Sequence, residues 1–205
     1  NLINMKAKLA LLLIAAVVLS QNLFADSPLT STPISEAYKD SKIVQLASTT
    51  EGRLTIELMN YLNESMHPVE LKIAVINQLG WGFNGFNNAY YFYEYLQEKY
   101  NFKDTDEFLN QASADLLISL AYLQAMENYF NVDEPIIYAL KARSKNNESY
   151  TINIICALIE AQKAMDSDWS EVYNLTNNVR LNRSLNRDMK EEAVKIIFEY
   201  MDLYK

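Results

Sequence analysis

Three of the chain's four glycines, Gly80, Gly82 and Gly85, lie in the stretch LGWGFNGFNNAYYFYEY (79–95), spaced G-x-G-x-x-G. That spacing suits a phosphate cradle, in which small residues let the backbone approach a pyrophosphate seated on the next helix N-terminus. A dinucleotide site of this kind needs a strand ending at the first glycine. Here Asn77-Gln78-Leu79 stands between the preceding apolar run and Gly80. Asp104 and Asp106, at about the distance expected of a ribose-binding acid, open a helix instead of closing a second strand. No strand lysine of the V-A-I-K type follows, which speaks against a kinase loop. The stretch reads as a helix–loop–helix connection, and no cofactor is expected.

Trp81, Phe83 and Phe86 sit among these glycines, with Asn84, Asn87 and Asn88 as turn and capping groups. Two roles fit. The rings seal the core beneath the loop, or the loop recognises a partner, rings giving contact area at low entropy cost and amides bonding a peptide or sugar. Tyr90, Tyr91, Tyr93 and Tyr95 extend the aromatic surface, and not all four fit one core-facing stripe. The candidate binding set is Trp81, Phe83, Asn84, Phe86, Asn87, Tyr91 and Tyr95.

Catalytic chemistry has less to work with. His67 is the only histidine, so a multi-histidine metal site is excluded, and its place before Pro68 suits a capping or exposed role. No G-x-S-x-G is present. Cys156 lies among Ile154, Ile155 and Leu158, as a buried thiol would. Paired carboxylates can perform glycoside hydrolysis. The pairs here, Asp104/Glu107, Asp133/Glu134 and Asp168/Glu171, all stand at expected helix starts, where capping and the helix dipole account for them. The most basic stretch, RLNRSLNRDMK, carries Arg180, Arg183, Arg187 and Lys190 and reads as a solvated connection, with docking of an acidic partner as its functional alternative.

These residues must be positioned by helices. Thr32-Pro33 predicts a helix to about Ala47, and a second runs from Arg53 to Asn63. VELKIAVINQLG alternates like a strand, yet Pro68 at its start, Glu70 in its first turn and Gly80 at its end favour a helix. A helix follows the glycine loop, and a long one runs from the Asp104 cap to about Tyr129. Further helices begin at Asp133, Ser149, Asp168 and, capped by Asn186, near Met189. The expected fold is all-α, about eight or nine helices in antiparallel hairpins, either a compact helical domain or a short irregular α-solenoid.

Taking Met5 as the start, Lys6 and Lys8 precede an apolar run from Leu9 to Leu19, a polar break and Ala25. This is the layout of a secretory signal peptide over 5–25, with cleavage predicted after Ala25. The run is too short to span a bilayer. Residues 26–34 read as a short polar leader and 35–205 as one domain. Without Lys6 and Lys8, 16 bases face 26 acids, a net charge of −10 that repels nucleic acid and anionic lipid. One cysteine cannot form an internal disulfide, so an exported chain of this kind relies on its core, and a bacterial periplasm or exterior fits best.

The expectation is therefore a periplasmic or secreted bacterial protein without catalytic activity, a protein-binding or structural component of the cell envelope with a protein partner. The first alternative is an exported immunity or inhibitor protein covering a toxin or hydrolase. The second is a carboxylate-based cell-wall or glycan hydrolase.

Overall fold

The computed structural model describes residues 27–80 and 85–205. The expected signal peptide and its cleavage point, and Trp81, Gly82, Phe83 and Asn84, lie outside the described residues. Among the described residues the fold is all-α, without a strand. A 3-10 turn at Ile34–Tyr38 leads to α1 (Lys42–Ser48), α2 (Ile56–Asn63), α3 (Val69–Leu79), α4 (Asn88–Tyr100) and α5 (Thr105–Gln111). Then come α6 (Ala114–Glu127), α7 (Asp133–Lys145), α8 (Tyr150–Ala164), α9 (Trp169–Leu181), α10 (Glu191–Met201) and a 3-10 turn at Asp202–Tyr204.

The strand-like alternation of 69–79 resolves as α3. Ile73, Ala74, Val75 and Ile76 are all buried, so the helix is apolar nearly all round and its period is masked. Gly80 ends it at φ 79°, a conformation costly to residues with a Cβ. The expected caps form at Asp104, which accepts from the Glu107 amide at 2.9 Å, and at Asp168, which accepts from the Ser170 amide at 3.0 Å. Glu107 reaches back one residue beyond the usual capping-box partner, to the Lys103 amide at 2.7 Å.

Four boundaries differ from expectation, each through a tertiary bond. The first helix is a 3-10 turn followed by α1, because Asn77 Oδ1 takes the Ser35 amide (2.8 Å) and Asn77 Nδ2 donates to Thr32 O (3.1 Å). Helix α2 starts at Ile56 and not Arg53, since the Leu54 amide donates to Asn88 Oδ1 at 2.9 Å. The long helix expected from Asp104 to Tyr129 is broken at Ala112, whose ψ is 146°. There Ser113 caps α6 by accepting from the Leu116 amide (3.3 Å), while Lys145 Nζ donates to the Asn110 and Ala112 carbonyls (2.7 and 2.6 Å). Asn186 does not cap the last helix. It exchanges backbone bonds with the 148–150 segment, and Lys190 precedes α10.

Helices α6 and α8 form the middle of the core, with α7 packed on both and α9 on α8. The 27–34 segment is part of this body and not a free leader: Ser27, Leu29 and Thr32 are fully buried, and Ser27 Oγ donates to Gln162 Oε1 on α8. Tyr38 donates to Glu70 Oε2 on α3 at 2.6 Å, and that same oxygen accepts the Lys190 amide at 2.9 Å. The early segment thus joins α3 to α10, so the hairpins close on themselves and do not stack as an open array.

Candidate functional site

The residues with chemical potential are dispersed and engaged. Gly80 follows helix α3, so no strand ends at the first glycine, as a dinucleotide site needs. His67 stacks on Tyr61 (ring centroids 3.9 Å apart, planes 12°), and its Nε2 meets Glu64 Oε2 at 2.9 Å. Cys156 is fully buried, and burial, aided by the Glu160 carboxylate, pushes its thiol up to about 12. Asp133 pairs with Lys163 at 2.8 Å, and Glu134 accepts from Gln124 at 3.1 Å. Among the described residues no group of three or more His, Cys, Asp or Glu side chains is arranged to hold a metal ion.

The basic stretch is largely exposed, as expected of a solvated connection, and several of its cations lie over aromatic rings. The Arg180 guanidinium lies 4.1 Å over the Phe198 ring and donates to Asp202 and to the Tyr173 hydroxyl. Arg187 covers the Tyr150 ring at 4.5 Å, and the Lys190 ammonium covers Tyr38 at 4.9 Å. Among the described residues no such ring lies beneath Arg183. The stretch is a strap fastened onto α8, α10 and the early turn.

Four of the seven candidate binding residues converge. Phe86, Asn87, Tyr91 and Tyr95 line a groove of about 550 Å3, whose opposite wall is Arg53, Leu54, Ile56 and Met59 from α2 and the segment before it. Glu94 and Glu98 complete it from α4. Tyr91, Glu94, Tyr95 and Glu98 follow i, i+3, i+4, i+7 spacing, which puts all four on one helix face. Ile56 is 63% exposed and Tyr91 56%. The Arg53 guanidinium lies 4.8 Å over the Phe86 ring. Tyr90 also faces solvent, whereas Tyr93 packs edge-on against Phe102 and Phe108.

The groove has a fixed frame. Buried Asn88 accepts from the Leu54 amide and donates to Gly52 O at 2.8 Å, tying the segment before α2 to the start of α4. Glu127, at the end of α6, caps α4 from outside by accepting the Ala89 amide at 2.7 Å. Burial raises the pKa of this carboxyl, against the opposing pull of the Ala89 and Asn88 amides. Beside the groove, Tyr95 donates to Asn60 on α2 at 2.8 Å.

Sequence reasoning found one wall of this groove and missed the other, because Arg53, Ile56 and Met59 carry no local motif. It also missed a second cavity, about 540 Å3, at the far end of α2. That cavity is lined by Asn63 to Met66, Tyr100, Phe102, Phe108 and the break between α5 and α6. Among the described residues no helix is long and apolar enough to cross a membrane. Comparison of this chain with protein-family models, with curated proteins and with solved structures finds no match.

Proposed function

We propose that this chain is an exported, non-catalytic protein-binding component of a bacterial cell envelope, and that its partner docks in the groove between α2 and α4. The observation that carries the reading is the convergence of Phe86, Tyr91 and Tyr95 with exposed Ile56 around one concavity. Exposed aromatic and aliphatic side chains beside a groove act as anchors when a partner excludes water from them. The signal-peptide pattern supports the address. Of the carboxylates considered for hydrolysis, Asp104 and Asp168 cap helices, Asp133 pairs with Lys163, and Glu107 and Glu134 accept hydrogen bonds, so a hydrolase is not proposed.

Glu94 and Glu98 are exposed on the same wall and outnumber Arg53, which favours a partner segment with an apolar anchor beside Lys or Arg. The same charge favours a second reading of the site, an inhibitor or immunity protein covering a basic toxin or hydrolase. Panning a displayed random-peptide library against the purified protein tests the docking site. The expected peptides carry an aromatic or aliphatic residue next to a cation, and the combined Ile56→Ser/Tyr91→Ala variant binds them about tenfold more weakly or worse. Both replaced side chains are exposed, so the variant's melting temperature stays near that of the wild type. Peptides that bind the variant unchanged, or that are acidic, overturn the assignment. The inhibitor reading further requires association that weakens with salt and silences the partner's activity.

A further inference from the structure

We propose that the second cavity, between the 63–66 turn, Tyr100 and the α5–α6 break, binds a small neutral aromatic molecule carrying a hydroxyl. This inference is independent of the groove between α2 and α4.

Size comes first. At about 540 Å3 the cavity is within the range of ligand pockets, and it is several times the roughly 150 Å3 that holds a benzene. It suits a fused two-ring compound with room for water.

The floor selects rings. Phe102 and Phe108 lie 4.7 Å apart at 42°, and both are almost fully buried, as are Ala112 and Leu116 beside them. Tyr93 stands edge-on to both rings at 5.2 and 5.6 Å, and Tyr138 backs Phe108 at 6.2 Å. This connected cluster holds the floor rigid, and a rigid aromatic floor favours a planar guest. At the mouth stand Met66, 80% exposed, and Tyr100, 46% exposed. A mobile thioether beside a phenol ring suits the edge of an aromatic ligand.

Charge selects a neutral guest. Among the described residues no Lys, Arg or His lines the cavity, and the nearby Lys145 ammonium is taken up by the Asn110 and Ala112 carbonyls, so an anion would lack a direct counter-charge and would face the Glu64 carboxylate. Glu64 is itself engaged by His67, which leaves it a poor partner for a cation. The polar contacts that remain are neutral. Ser113 Oγ accepts from the Leu116 amide, which leaves its hydrogen to donate, and Gln111 gives its amide hydrogen to Glu107 at 2.8 Å, which leaves Oε1 to accept. A hydroxyl on the guest can use both.

The broken helix creates this wall. A continuous helix through Ala112 would bond the Ser113 amide internally and bring the Gln111 and Ser113 side chains into helical register, about 200° apart around the axis.

Amide correlation spectra of the purified protein titrated with 2-naphthol, 2-naphthoate and N-acetyl-tryptophanamide test the site. The expected result is saturable shifts from 2-naphthol at Phe102, Phe108 and residues 111–116, with naphthoate about tenfold weaker for want of a counter-charge. Ala112→Leu fills the cavity and weakens naphthol by a similar factor. Gln111→Ala, at an exposed position that leaves folding intact, removes the acceptor and weakens it severalfold. Shifts scattered over the surface or centred on the α2–α4 groove overturn the proposal. So do equal binding of the anion and indifference to Gln111→Ala. Tighter binding of the capped tryptophan than of naphthol overturns it in favour of a partner's side chain.

Discussion

Tyr95 on α4 donates its phenolic hydrogen to Asn60 on α2 at 2.8 Å, and five residues on Tyr100 repeats the contact with Asn63 at 2.7 Å. Two tyrosine–asparagine clasps therefore hold α2 against α4, one beside each cavity. Replacing Tyr95 with Phe keeps the ring in the groove wall and removes only the clasp. The bond is near solvent, so the expected loss of global stability is about 0.5–1 kcal/mol. The sharper effect is local. Hydrogen exchange at α2 amides should accelerate while the amides of α6 and α8 keep their protection, because short helices held by few tertiary contacts open separately from the core. Uniform acceleration across all helices would show that α2 is not an independent unit.

Asn77 is a buried polar joint with three hydrogen bonds. It accepts the Ser35 amide, donates to Thr32 O, and donates to the fully buried Tyr122 hydroxyl at 2.9 Å. Asn77→Ala strips the Ser35 amide and the Tyr122 hydroxyl of this partner in a buried site, where each costs about 1–3 kcal/mol, while Thr32 O keeps its bond from the Ile34 amide. Chemical denaturation should show a loss of about 3 kcal/mol or more. Asn77→Ala combined with Tyr122→Phe should lose less than the sum of the two single changes, since both remove one bond. Full additivity would place the two side chains in separate networks.

Much of this architecture is legible in the chain. Caps are local, so Asp104, Ser149 and Asp168 announce helix starts by their side-chain chemistry alone. The apolar content of 69–79 is equally plain, although burial on all sides disguises its period. What is not legible depends on partners remote in sequence. Between 104 and 129 the local sign of the break at Ala112 is Ser113, a cap residue with Asp115 in the first turn after it, whereas the Ala112 carbonyl is satisfied by Lys145, remote on α7. The basic stretch is solvated as it reads, with Arg183, Arg187 and Lys190 exposed, but the rings over which Arg187 and Lys190 lie, Tyr150 and Tyr38, are remote in the chain. The groove is half legible for the same reason. Phe86 to Tyr95 are neighbours in sequence, whereas Ile56 and Met59 reach them only through folding.

Lys72 places a fully buried ammonium 3.3 Å from the Asp115 carboxylate, which is partly exposed at the start of α6. Such a pair is costly to break and adds little beyond an apolar pair. Asp115→Asn should destabilise the protein by about 3 kcal/mol, because it strands the lysine's charge. Lys72→Met leaves the accessible carboxylate to water and should be close to neutral, within about 1 kcal/mol. The double variant Lys72→Met/Asp115→Asn should recover most of the loss seen in Asp115→Asn alone. Equal damage from the two single changes would mean that the pair is symmetric in its dependence on burial.

Cys156 gives a prediction for alkaline pH. Its thiol is raised by burial and by Glu160, with the Arg143 guanidinium, which grips Glu160 at 2.7 and 3.2 Å, pulling the other way. Burial also raises the Tyr138 hydroxyl to about 12, and raises Tyr38 and Tyr122. Each of these groups holds its proton more tightly in the folded chain than in the unfolded one. The linked stability is therefore complete below the ordinary thiol value of 9.0 and is lost as the pH climbs toward about 12. The native protein should resist a disulfide-exchange reagent at pH 8 and yield one thiol only after unfolding. Denaturation midpoints should stay level to about pH 9 and then fall. In Cys156→Ala the fall should be shallower by the share of one proton, even though the variant begins from a lower stability at neutral pH. Rapid thiol labelling of the folded protein, or an alkaline slope unchanged by the substitution, would place Cys156 outside the core that binds its proton.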